Sequence, residues 1–265
     1  MSPQPPSLSA RARGAFRGAL AGANGAPPNA LLRVLAEELA AGRVDLRELA
    51  ERWIERRRAE PEGIDEETAV ALDYLDRQHA PPEYSEARGP APLTRVLPVA
   101  LLAFDSPRNL VSATFHIAAL THPDPRPAWA AVAVNVALAT FLQGKRDFVP
   151  AVLEVLRGNP SPEELLAAVR RVPLARRQGM PDPTPAESDA LAAVEVAFWL
   201  AYHEPVTARA FEAVSGSRSV AMVAGSLLGA RDGAAAVPDQ RLPDDSEVAE
   251  WDALADRLVR VTAPV

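Results

Sequence analysis

In this chain of 265 residues, the segment Gly216-Ser217-Arg218-Ser219 is a candidate anion-binding site. It directly precedes an apolar stretch that is typical of a helix, so the first N–H groups of that helix, two hydroxyls and a guanidinium would converge. Such a set of donors can hold a phosphate or another anion. The alternative is an ordinary serine-capped helix start in which Arg218 pairs with an acid or is solvated.

Acidic residues offer a second chemistry, because carboxylate oxygens are the ligands that magnesium prefers. The candidates are Asp65, Glu66, Glu67, Asp105, Asp232 and the pair Asp244-Asp245. Those at predicted helix starts also complement the helix dipole, and this structural interpretation is the favoured one. His122 lies between two predicted helices, where a structural hydrogen bond is favoured over acid–base work. Asn135, in an apolar stretch, is a polar tie between helices or a ligand contact.

Helix signals dominate the rest of the sequence, and strand signals are scarce. Four junctions pair a capping residue with a proline at the first helical position: Ser106-Pro107, Asp124-Pro125, Ser161-Pro162 and Thr184-Pro185. Glu164 and Glu187 complete predicted capping boxes at the last two junctions. Pro98 lies inside the predicted helix 91–104 and is expected to kink or split it. The remaining helices are predicted near 29–41, 45–60, 65–78, 107–121, 125–143, 148–157, 162–171, 185–203, 205–214, 219–230 and 245–260.

Composition excludes several function classes. The chain is 48% hydrophobic and 24% charged, with a net charge of -7, so it is globular and nucleic acid is not an expected partner. It has no cysteine, which excludes thiolate chemistry and indicates a cytoplasmic location. No membrane association is expected, since the apolar stretch 128–142 is shorter than a spanning helix and contains Asn135. Residues 1–10 are predicted to be a disordered tail and residues 11–265 a single helical domain.

Three stretches, in this order, resemble the ADP-ribosylglycohydrolase family, which includes the dinitrogenase-reductase-activating glycohydrolase. Residues 17–25, with Gly18, Gly22 and Gly25, resemble its N-terminal glycine-rich helix. Residues 89–101, which include Arg95 and Pro98, resemble its Gly-Asn-Gly and Met-Arg segment, and they lead to a Leu-Thr-His stretch at 120–122. Residues 215–229 resemble the C-terminal helix that the family opens with Gly-Asp-Thr-Asp-Thr.

The resemblance implies an all-α, multi-helix globular fold and an enzyme that cleaves bonds to ADP-ribose with two magnesium ions held by aspartates. The positions of those aspartates fall on Pro27-Pro28-Asn29 and on Gly216–Ser219, so four acidic ligands become Pro, Pro, Gly and Arg. Pro and Gly offer no side-chain oxygen, and a guanidinium repels a divalent cation. We therefore expect no metal site, no metal cofactor and no catalytic residue, which would make the chain a pseudoenzyme.

The function expected from this resemblance is binding without hydrolysis. The ligand would be an ADP-ribose-like or other phosphorylated compound, or a protein partner. The resemblance places the floor of the cleft near Asn29, Arg95 and Arg218, with Gly216, Ser217 and Ser219 beside Arg218. One alternative is an active hydrolase of N- or O-glycosidic bonds that uses relocated acids, and a second is a purely structural or interaction module.

Overall fold

The fold is all-α, as the sequence predicts. The computed structural model describes residues 5–25, 30–42 and 45–261, and within them all regular structure is helical. The α-helices are α1 (Leu8–Ala23), α2 (Ala30–Ala40), α3 (Leu46–Ala59), α4 (Glu66–Gln78), α5 (Ala91–Arg95), α6 (Leu97–Ala103), α7 (Pro107–Ala119), α8 (Pro125–Leu142), α9 (Val149–Arg157), α10 (Glu163–Arg171), α11 (Ala190–His203), α12 (Ala208–Glu212), α13 (Arg218–Asp232) and α14 (Asp245–Leu258). Short 3-10 segments cover Val172–Arg177, Thr184–Glu187, Ala234–Ala236 and Asp239–Arg241.

Helix α1 and helix α13 pack antiparallel at unusually close range through glycines. Gly14 faces Gly229 and Gly18 faces Gly225, and a Cβ atom built on either Gly14 or Gly18 would overlap the opposing backbone carbonyl. Because no side chain separates the backbones, the position of α13, and of Arg218 at its start, depends on these contacts. Helix α1 begins at Leu8, inside the segment 1–10 expected to be a tail; residues 1–4 lie outside the described residues.

Helix α8 runs through the middle of the molecule and is buried almost all round, as its uniform apolar sequence predicts. It packs against α5, α6, α7, α9, α11 and α13. The buried amide of Asn135 donates to the carbonyl oxygen of Val96 at 2.9 Å and to the hydroxyl of Thr114 at 2.9 Å. The interpretation of Asn135 as a polar tie between helices is therefore confirmed.

The predicted helix 91–104 is split, as expected from Pro98. The chain forms α5 and α6, which meet at Val96. Pro98 has no N–H to donate to the carbonyl oxygen of Thr94 in the preceding turn. The carbonyl oxygen of Val96 accepts from the N–H of Val99 at 3.0 Å and from the side chain of Asn135 at 2.9 Å. This break sets the direction of α5 and hence the place of Arg95 at its end.

The proline junctions start helices less uniformly than predicted. Asp124 caps α8 with its side chain, which accepts from the N–H of Arg126. Both predicted capping boxes are wrong: α10 begins after Pro162 without a side-chain cap, and the Ser161 hydroxyl donates to the carbonyl of Leu156 instead. Thr184-Pro185 starts only a short 3-10 segment, and α11 begins later, where Asp189 provides the cap.

None of the described helices is long and apolar enough to cross a membrane.

Candidate ligand-binding site

The start of α13 lies at an open cavity of about 850 Å³. The cavity lies between the beginnings of α2, α13 and α14 and the turn that follows α3. Its lining residues are Ala30, Arg33, Glu37, Arg56, Ala59, Glu60, Pro61, Glu62, Gly63, Arg218 and Glu247. Ala30, the first residue of α2, thus lines the same cavity as Arg218. Pro27, Pro28 and Asn29 lie outside the described residues.

The cavity has mixed charge, and ion pairs hold part of its wall. Arg33 pairs with Glu37 at 2.9 Å and with Glu250 at 2.5 Å. Arg56 pairs with Glu60 at 2.6 Å. Two of the glutamates that line the cavity, Glu37 and Glu60, therefore pair with arginines. The lining glutamates do not converge on one point.

The segment 216–219 is arranged as a helix start. Ser217 occupies the N-cap position of α13, but its side chain makes no capping hydrogen bond. Ser217 is buried, Gly216 is exposed, and Arg218 and Ser219 are half-buried. Burial lowers the pKa of the Arg218 guanidinium below its ordinary value. The guanidinium thus lies where the resemblance would put an acidic metal ligand.

Arg95 is not among the residues that line this cavity, although the resemblance places it near Arg218. Its side chain is fully buried, and burial lowers its pKa to about 10. The guanidinium donates to the hydroxyl of Thr68 at 2.8 Å and to that of Thr121, and it lies 5.5 Å from the ring centroid of Trp53. The cause is the break at Val96, which ends α5 against α4 and the turn after α7.

His122 connects Arg95 to the carboxylate of Glu67. A guanidinium can only donate, so the contact of 3.1 Å from Arg95 makes His122 Nδ1 an acceptor. The neutral ring then carries its proton on Nε2, which donates to Glu67 Oε2 at 3.3 Å. Desolvation lowers the pKa of His122, and the hydrogen bond from His122 lowers that of Glu67. His122 thus makes its ring hydrogen bonds to side chains, which fits the structural hydrogen bond favoured from the sequence.

Among the described residues, Asp65, Glu67 and His122 form one group whose side chains are of the types that bind metal ions. Their nearest ligand atoms lie within 4.8 Å of one another. Glu67 also accepts from the N–H groups of Gly89 at 2.9 Å and Arg88 at 3.3 Å, and Asp65 caps α4 through the N–H of Thr68. These oxygens therefore already have donors.

The group does not fit the divalent ions that the fold family implies. Binding at Nε2 would require His122 to lose the proton it gives to Glu67, because Nδ1 is occupied by Arg95. A buried guanidinium one hydrogen bond away would also repel the ion. At the start of α13, the segment 216–219 supplies no carboxylate at all. No step of a reaction can be derived through magnesium from the described residues.

Comparison with known proteins agrees with this arrangement of helices. The family model for ADP-ribosylglycohydrolases matches residues 28–264, which is most of the chain. The chain belongs to the ADP-ribosylglycohydrolase family. A solved structure titled "ADP-ribosylglycohydrolase-related protein complex" is similar to this family member with a TM-score of 0.78 and 23% sequence identity. The match covers 97% of this chain and 99% of that chain, and it shows that the two share a fold. No curated protein matches the chain.

Sequence reasoning missed two features of this ADP-ribosylglycohydrolase relative. The sequence suggests Glu67 as a first-turn acid or a metal ligand, whereas in the structure it clamps the N–H groups of Arg88 and Gly89 across 21 and 22 residues of sequence. Arg33 is the second feature: it lines the cavity, pairs with Glu37 within α2 and joins α2 to α14 through Glu250. The i, i+4 spacing of Arg33 and Glu37 was a detectable signal for the pair within α2.

Proposed function

We propose that this member of the family binds an ADP-ribose-like ligand at the start of α13 and does not hydrolyse it. The observation that carries the proposal is the cavity of about 850 Å³ that Arg218 lines. Its volume falls in the range of cavities that hold cofactor-sized molecules. The described lining residues include no set of converging carboxylates to hold a metal ion, which supports binding without hydrolysis.

The mixed charge of the lining suits this ligand class. A diphosphate accepts charged hydrogen bonds from guanidinium groups, and Arg218 at a helix start is placed to give them. Ribose hydroxyls can donate to carboxylates, and Glu62 and Glu247 lie in the same cavity. A simple polyanion would be repelled by the four glutamates of the lining, whereas a diphosphate joined to two sugars would use both kinds of group.

Binding is tested by calorimetric titration of the full chain with ADP-ribose, without and with Arg218→Ala. Loss of a charged hydrogen bond should weaken binding roughly 10- to 100-fold. Arg209→Ala is the matched control, because Arg209 is exposed on α12 and lies outside the cavity. If ADP-ribose produces no heat of binding and no rise in melting temperature, the proposal is wrong and the structural or interaction module is favoured.

Hydrolysis is tested separately with peptides ADP-ribosylated on arginine or serine, in magnesium and in manganese. The expected result is no release of ADP-ribose above the rate without protein. Release that depends on the metal and is abolished by Glu67→Gln would instead support the active hydrolase with relocated acids.

A further inference from the structure

A second cavity lies between α2, α6 and α7, and its lining is more apolar than that of the cavity at Arg218. It has a volume of about 290 Å³ and a buried apolar floor that includes Leu39, Val99 and Ile117. Its rim is more polar, since Ser112 and His116 are exposed on one face of α7, one turn apart. An apolar floor with a few polar groups at the edge is the usual construction of a small-molecule site.

The hydrogen bonds of His116 determine which of its ring nitrogens can accept a hydrogen bond from a ligand. Nδ1 lies 2.8 Å from the carbonyl oxygen of Ser112, and a carbonyl oxygen can only accept. In the neutral ring the proton is therefore on Nδ1, and Nε2 keeps its lone pair. The ring also packs edge-on against Phe115 with centroids 5.9 Å apart. His116 thus has an acceptor nitrogen, Nε2, and its side chain is part of the cavity rim.

We infer that this cavity binds a small, mainly apolar molecule with one hydrogen-bond donor, of the phenol or indole class. The floor provides apolar contacts for a ring, and His116 Nε2 accepts its O–H or N–H. The two cavities share no lining residue, so this inference does not depend on the ADP-ribose proposal.

The test uses phenol and toluene as probes, which have similar size and differ in the donor. Each is titrated into the full chain and followed by the amide NMR signals of α6 and α7. Both probes should shift those signals in a saturable way. The ratio of the toluene Kd to the phenol Kd should fall roughly 2- to 10-fold in His116→Phe, because one neutral hydrogen bond is lost while an aromatic ring remains. An unchanged ratio overturns the inference.

A second variant tests the location without touching His116. Ala113→Leu places extra carbons in the cavity, and it should weaken both probes at least about 10-fold while the melting temperature shows that the chain is folded. Ala208→Leu, at an exposed position of α12, is the matched control and should leave both affinities unchanged. Absence of saturable shifts in the wild type, or equal affinities in Ala113→Leu and the wild type, would refute the site.

Discussion

Arg95 and Arg218 are the two arginines that the family resemblance places on one cleft floor, and they have opposite surroundings. Arg95 is fully buried and surrounded by Thr68, Thr121, His122 and the ring of Trp53. Arg218 is half-buried at an open cavity of mixed charge. The comparison teaches that an arginine near a degenerate site can be part of the scaffold, and that only the one with access to solvent can bind a ligand.

The largest expected effect is that of Arg95→Ala on stability. The substitution removes the donors to two buried hydroxyls and to His122, and it leaves a cavity beside Trp53, so the free energy of unfolding should fall by about 3 kcal/mol or more. Urea unfolding measures it. Arg95→Met, which keeps most of the apolar stem, should lose less. A loss below about 1 kcal/mol would show that Arg95 is not part of the scaffold.

Gly18→Ala tests the packing that positions Arg218. The new Cβ would overlap the carbonyl of Gly225, so α1 and α13 must separate, at a cost of about 1–3 kcal/mol in unfolding free energy. ADP-ribose affinity should fall as well, because the start of α13 moves. Gly158→Ala is the control: its nearest neighbours would lie 3.5 Å from the added Cβ, and its stability should stay within about 0.5 kcal/mol.

Glu67→Gln tests whether the Glu67 carboxylate acts as a clamp, that is, whether it stabilises the fold by accepting from His122, Arg88 and Gly89. The amide cannot accept from His122, Arg88 and Gly89 together, and one buried donor left unsatisfied costs about 1–3 kcal/mol. Thermal and urea unfolding should both report the loss. Glu66→Gln, at an exposed neighbouring position, should have little effect. Equal effects of the two variants would contradict the clamp.

The pH dependence of stability reports on His122. Its pKa is lowered in the folded state, mainly by desolvation, so the unfolded chain binds the proton more readily. The contribution to stability is complete above the unfolded histidine pKa of about 6.5 and is lost as pH falls through the lowered folded value. Unfolding free energy should therefore decrease from pH 7 to pH 5.5, and decrease less in His122→Gln. His79→Asn, an exposed control, should retain the wild-type slope.

The smallest expected effect is that of Arg218→Ala on stability. Because the side chain lies at an open cavity, its removal should change unfolding free energy by no more than about 0.5 kcal/mol, even though ADP-ribose binding should weaken roughly 10- to 100-fold. The same unfolding experiment as for Arg95→Ala measures it. A large loss would make Arg218 another scaffold arginine and would remove the contrast between the two regions.

Some of the fold was open to prediction because its causes are local. The split at Pro98 and the Asp124 cap follow from one residue's missing N–H or from one side chain next to its own helix. The failed capping boxes are also instructive, since Ser161 found a carbonyl of the preceding helix to bind instead. The start of α1 at Leu8 was missed because a proline- and serine-rich segment resembles a tail until Ser7 caps the helix.

Only part of the candidate site could be predicted from the sequence. That the segment Gly216–Ser219 contains no carboxylate can be read directly from the sequence. The separation of Arg95 from Arg218 could not be predicted, because it depends on how α5 turns at Val96 and on which side chains from α4 and α7 meet it.

By itself, the sequence determined the helical class, the family and the absence of carboxylates at the start of α13, because composition, capping and motif identity are properties of residue types and short spacings. Only the tertiary structure decided which arginine is buried, which carboxylates already have donors and which nitrogen of His116 and His122 carries the proton. The physical reason is that burial and hydrogen-bond partners come from segments tens to hundreds of residues apart, and these interactions set the charge and the accessibility of each group.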